Sequence, residues 1–117
     1  MSVPGRRQQR LGDLIRAEIS GMLARDLKDP RIGFTTVLEV KVTPDLYEAR
    51  VYVSVMGSAE QQAESLRGLA AAASFVRHEL GHRLRLRRAP VVSFHLDHSV
   101  EQGARIEELL TKIKQES

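Results

Sequence analysis

Ala70 to Arg88 reads AAAASFVRHELGHRLRLRR, and the rest of the chain is placed by how this stretch is read. It starts as a poly-Ala helix, passes through Ser74, and resumes an apolar stripe at Phe75, Val76, Leu80 and Leu84 before ending in alternating Arg and Leu ahead of Pro90. Two chemistries overlap here. His78-Glu79-Leu80-Gly81-His82 fits the H-E-x-x-H pattern of zinc peptidases, which sets two imidazoles one helical turn apart with a carboxylate beside them. The same segment carries five arginines between Arg77 and Arg88 against one Glu, the charge pattern of a helix that faces nucleic acid.

Working outward toward the N-terminus, Ser58 is a suitable N-cap with Gln61 at its N3 position. A helix follows, with Leu66, Leu69, Ala70 and Ala73 facing inward. Ahead of it, Ala49, Val51, Val53 and Val55 alternate with Arg50, Tyr52 and Ser54, and Thr43-Pro44-Asp45 turns the chain from an earlier strand. In that strand Phe34, Thr36, Leu38, Val40 and Val42 are expected to share one face, with Thr35, Glu39, Lys41 and Thr43 on the other. Leu11, Leu14, Ile15, Ile19, Met22, Leu23 and Leu27 recur at three- and four-residue steps, which predicts a long amphipathic helix stopped by Pro30. Residues 1–9 read as a flexible basic lead-in. Toward the C-terminus, Val92, Phe94 and Leu96 alternate with Ser93, His95 and Asp97 as a third strand. Ser99 then caps a last helix with Val100, Ile106, Leu109, Leu110 and Ile113 as its apolar positions, and residues 112–117 are expected to fray. The sum is an α+β domain with helices on one face of a three-stranded sheet.

At 117 residues, 42% of them hydrophobic, the chain suits a single domain that buries its own core without metal or disulfide staples. It has no cysteine, which excludes disulfides and thiolate metal sites and fits a reducing compartment. No apolar run approaches a membrane span and residues 1–12 lack the apolar core of a signal peptide, so a cytoplasmic location is predicted. The net charge of +3 is modest, but its distribution is not even. Met1–Lys28 holds six basic and three acidic residues, while Asp29–Val76 holds four against six. Positive charge therefore collects in the N-terminal block and in Arg77–Arg88, which makes a polyanionic partner plausible; a solvated helix face is the plainer alternative.

The element order, with two helices back to back before the third strand, looks like the type II KH arrangement, α-β-β-α-(kink)-α-β-α. Narrower signals are Lys28-Asp29-Pro30-Arg31-Ile32-Gly33, Ala49-Arg50-Val51-Tyr52-Val53, Phe75-Val76-Arg77 with Leu84-Arg85-Leu86-Arg87, and Pro90-Val91-Val92-Ser93-Phe94 through Asp97-His98-Ser99 to Gly103. These resemble the bacterial ribosome-binding factor A family over nearly the whole chain. In that family an Ala-x-Gly step kinks the helix pair, and no G-x-x-G loop is present. The step falls on Ala72-Ala73-Ser74, so Ser replaces Gly and a bend near Ser74 is expected. The resemblance implies a non-catalytic, cofactor-free, monomeric assembly factor. It would bind the small (30S) ribosomal subunit or its precursor, support late maturation of 16S rRNA, and matter most for growth in the cold.

Two candidate sites follow. The zinc reading uses His78, Glu79 and His82, with His95, His98 or Glu101 as third ligand, and makes the chain a small zinc hydrolase. Arg77 and Arg83 beside the histidines oppose a dication, and a short chain leaves little room for a cleft. The resemblance and the two basic blocks together favour RNA contact through Arg7, Arg10, Lys28, Arg31, Ser74, Arg77, Arg83, Arg85, Arg87 and Arg88, with no metal. The plainer reading of these arginines is stems covering apolar surface while their heads stay in water. Tyr52, outward on its strand, is a possible base-stacking side chain, although a lone exposed tyrosine is more often incidental.

Overall fold

The computed structural model describes residues 5–97. Helix α1 (Arg6–Arg25) is followed by strands β1 (Thr35–Val42) and β2 (Glu48–Val55), helix α2 (Ala59–Arg83) and strand β3 (Val91–Leu96). The expected last helix after Ser99 and the frayed tail lie outside the described residues. β1 and β2 form an antiparallel hairpin, β3 pairs parallel to β2, and the sheet order is β1-β2-β3.

The inward set of β2 is the one its alternation predicts: Ala49, Val51, Val53 and Val55 are buried. β1 departs from expectation. Its register slips at Leu38, so Val37 faces Val53 but Glu39 faces Tyr52. This bulge inserts one residue and flips the side-chain phase. Ahead of it Val37 points into the core, after it Val40 and Val42 do, and Phe34 is left 72% exposed.

α1 starts earlier than the flexible lead-in would have it. The Gln8 carboxamide accepts from the Gly5 amide at 3.2 Å and donates to the Val42 carbonyl at 2.9 Å, which ties the first turn to the sheet. Gly12 faces Val40, where an added Cβ would lie 2.8 Å from the carbonyl oxygen. Arg16 reaches the Leu38 carbonyl at 3.4 Å. Helix positions 8, 12 and 16 thus run against strand positions 42, 40 and 38, so α1 lies antiparallel along edge strand β1 and covers its free side. Ile15, Ile19 and Met22 are fully buried on its inner face. The helix ends at Arg25, before Pro30, where the Asp26 and Leu27 amides both donate to the Met22 carbonyl (2.7 and 2.9 Å) and the half-buried Leu27 turns into the core.

α2 opens on the expected capping box: Ser58 Oγ accepts from the Gln61 amide at 3.2 Å, and the Gln61 side chain accepts from the Ser58 amide at 2.8 Å. The helix then continues through Ser74 for 25 residues as one element, where the resemblance predicts two helices joined by a bend. The reason is phase. Ser65, Leu69, Ala72, Val76 and Leu80 form one inward stripe at three- and four-residue steps, so a break at Ser74 would turn half of it out of the core. Serine inside an Ala-rich helix also costs less than the glycine it replaces. The segment after α1 seats on the first half of this helix. Ser65 Oγ accepts from the Gly33 amide (2.9 Å) and donates to the Arg31 carbonyl (3.2 Å), and Gly68 leaves room for Ile32. The helix stops at Arg83, before the alternating Arg and Leu run ends. The Leu86 amide closes back on the Gly81 carbonyl at 3.0 Å, with Arg85 in the left-handed region at φ 52°.

Gly12→Ala is expected to destabilise the fold by about 1–3 kcal/mol although alanine favours helix, because the added methyl meets strand backbone that has nowhere to go. Gly21→Ala is the control. Its methyl would meet only the flexible end of Arg25, and the substitution should stabilise by up to about 1 kcal/mol. Urea unfolding of both variants checks this.

Candidate nucleic-acid interface

At one end of the sheet Val42, Ala49 and Val92 lie side by side. Three segments meet there. The first turn of α1 arrives through the Gln8–Val42 hydrogen bond, bringing exposed Arg6, Arg7 and Arg10. The hairpin turn between β1 and β2 is held by Asp45, whose carboxylate accepts from the Thr43 hydroxyl at 2.6 Å and the Tyr47 amide at 3.0 Å. Those two bonds, the Thr43 contact foremost, hold the Asp45 carboxyl below its ordinary pKa. The α2–β3 connection arrives with Arg85, Arg87 and Arg88 exposed. It is pinned by the Val91 amide donating to the Tyr47 carbonyl (2.8 Å) and by the Arg88 guanidinium lying 3.9 Å over the Tyr47 ring. Arg77, half-buried, donates to the Ala89 carbonyl at 3.0 Å and fixes the same connection from the helix side. Two basic blocks far apart in sequence are thereby placed at one pole. Tyr47, which orients Arg88, carries no signal in the sequence beyond its place in the turn.

Other candidates lie elsewhere. Arg83 contacts three carboxylates: Asp26 at 2.9 Å, Glu18 at 3.6 Å and Glu79 at 3.8 Å. It ties α2 to α1, and its charge is answered within the fold. Arg31 forks onto Asp29, with Nη2 at 2.7 Å, and its own amide also donates to that carboxylate at 2.9 Å. These bonds, the guanidinium first, hold the Asp29 carboxyl below its usual range. Arg31 and exposed Lys28 precede β1, at the opposite end of that strand from the arginine pole. Ser74 is exposed midway along α2. Tyr52 is not alone on the outer face of the sheet: the His95 ring lies 5.5 Å away, and Lys41 sits 5.5 Å over the tyrosine.

A family model described as ribosome-binding factor A matches residues 7–110. The chain belongs to the ribosome-binding factor A family. It is 51% identical over 110 residues to ribosome-binding factor A from Desulfitobacterium hafniense strains DCB-2 and Y51, covering 94% of this chain and 88% of theirs. Among solved structures, the solution structure of a Thermotoga maritima protein described as a ribosome-binding factor A is similar, with a TM-score of 0.70 at 32% identity, over 81% of this chain and 91% of that one. The crystal structure of ribosome-binding factor A from Thermus thermophilus gives 0.67 at 27% identity, over 76% and 94%. Coordinates of the Thermus thermophilus protein fitted into a cryo-EM map of a 30S complex give 0.58 at 28% identity, over 80% and 94%. The α+β fold described above is the KH-like fold of this family.

In this member of the ribosome-binding factor A family the H-E-x-x-H residues sit as their spacing requires, with the His78 and His82 rings 5.8 Å apart on one helix face. Glu79, however, is turned to Arg83. Among the described residues no group of three histidines or carboxylates is placed to hold a metal ion. His95 bonds to Ser93 at 2.9 Å, while His98 and Glu101 lie outside the described residues. No helix among the described residues is long and apolar enough to cross a membrane.

Arg83→Gln should lower the melting temperature, because Glu18, Asp26 and Glu79 lose the cation between them. The loss should narrow as salt is added, since these groups are only partly shielded from water. A thermal melt at low and high salt checks it. If the deficit is absent at low salt, Arg83 has no role in joining the helices.

Proposed function

We propose that this protein binds the small ribosomal subunit or its precursor through the arginine pole and supports late maturation of 16S rRNA without bond chemistry. The observation that carries the reading is that the first turn of α1, with Arg6, Arg7 and Arg10, and the loop that carries Arg87 and Arg88 both lie at the Val42–Ala49–Val92 end of the sheet. The 30S complex of the Thermus thermophilus relative supports the choice of partner.

The pole has the composition phosphate contacts require: exposed guanidiniums on rigid elements, one of them oriented on an aromatic ring. Arg83 and Arg31 are left out of this reading because each already faces carboxylates of the fold. Binding energy spent on one RNA conformation shifts the population of folded precursor toward it. The benefit is greatest in the cold, where misfolded RNA helices resolve slowly. Cells lacking the protein should therefore accumulate immature small-subunit RNA, most of all at low temperature. The protein acts as a monomer in the cytoplasm, where its partner is assembled.

The direct test is co-sedimentation with purified ribosomal particles. The protein should travel with free small subunits in preference to assembled ribosomes, and its affinity should fall steeply with salt as counterions are released. Replacing Arg7, Arg10, Arg87 and Arg88 together by Gln should flatten the log–log salt slope by about two to three units and leave the fold intact. A variant that binds with an unchanged slope would remove the pole from the interface.

A further inference from the structure

Among the described residues two that are not glycine have positive φ: Leu46 at 64° and Arg85 at 52°. This region crowds the Cβ of any L-residue, and glycine enters it freely. Leu46 has a visible reason to be there. Its side chain is half-buried against the core, and its amide closes the hairpin turn on the Thr43 carbonyl at 2.8 Å.

The backbone at Arg85 closes a turn as well, but its side chain, unlike that of Leu46, is not among those packed on the core. Arg85 occupies the position just past the end of α2, where the Leu86 amide reaches the Gly81 carbonyl at 3.0 Å and the Arg85 amide turns toward the His82 carbonyl at 3.4 Å. Helices that end this way usually place glycine at that position. The Arg85 side chain is exposed and makes no ion pair or side-chain hydrogen bond with any described residue. Its neighbours differ: Arg83 is answered by three carboxylates, Arg77 by the Ala89 carbonyl and Arg88 by the Tyr47 ring. A favourable field from the helix C-terminus does not explain the choice, because Arg83 already supplies a cation in the last turn. Strain without an internal partner marks a residue kept for an external one.

We infer that Arg85 is a phosphate-contact residue for the RNA backbone, held at a glycine position at the expense of stability. This rests on the subunit-binding reading and deepens it. It assigns one residue of the pole and states what the fold gives up for it.

Three substitutions separate charge from backbone. R85G removes both the charge and the strain, R85Q removes only the charge, and R85K keeps charge and strain alike. In thermal unfolding R85G should melt about 2–5 °C above the wild type, with R85Q and R85K within about a degree of it. In binding to purified small subunits, R85G and R85Q should each weaken affinity about three- to tenfold and flatten the salt slope by about one unit, while R85K keeps the slope. An R85G protein that binds as the wild type does would overturn the inference and leave the subunit-binding reading standing. An R85G protein no more stable than the wild type would also overturn it, since no stability would then be forgone. Wild-type protein that does not bind subunits would overturn the functional reading and this inference with it.

Discussion

β3 can pair parallel to β2 only if the chain first travels back along the whole sheet. Helix α2 makes that passage, and most of the architecture follows from it. Its 25 residues span about 37 Å, against about 26 Å for an eight-residue strand, long enough to make the return. The chain has to double back before β3 begins. The left-handed Arg85 and the loop that follows it accomplish this, and the reversal delivers Arg87 and Arg88 to the hairpin turn. Because α1 runs antiparallel along β1, its N-terminal arginines arrive at the same end. Strand topology, more than local charge, is what assembles the basic pole.

Close contacts hold this arrangement. Gly12 lets α1 approach the β1 backbone, and Gly68 lets the loop before β1 sit on α2. Both trade helix propensity for packing, each at roughly 1 kcal/mol relative to alanine. Arg83 adds an electrostatic tie between α2 and the C-terminal half of α1. The charges used for folding and those left for a partner are thus different residues, although both occur within the Arg77–Arg88 run. Arg77 and Arg83 are satisfied inside the fold, whereas Arg85 and Arg87 find no such partner among the described residues.

Much of this is legible in the sequence, for identifiable reasons. Strands β2 and β3 alternate cleanly because each has one face on the core, and the Ser58–Gln61 box is a local signal that needs no tertiary context. The inward face of β1 is not legible, because Phe34, Thr36, Leu38, Val40 and Val42 make as regular an alternation as the true inward set. Only the apolar Val37 in the off-phase hints at the bulge. The bend expected near Ser74 rests on a family step that has glycine; the helix runs continuously through that position, and the stripe from Ser65 to Leu80 keeps one phase through it. The role of Arg83 is hidden for another reason: its best partner, Asp26, is 57 residues away in sequence. Charge blocks can be counted from a sequence, but which members are neutralised depends on contacts that only the fold creates.

If the arginine pole is the interface, one end of the sheet meets small-subunit RNA and the other does not. A photo-crosslinking side chain placed singly at position 7, 87 or 61 tests this most directly, because Gln61 belongs to the first turn of α2, beyond the opposite end of β2. Irradiation of each labelled protein bound to small subunits should crosslink 16S rRNA from positions 7 and 87 and leave position 61 free. Crosslinks to RNA from position 61, with none from 7 or 87, would contradict the account.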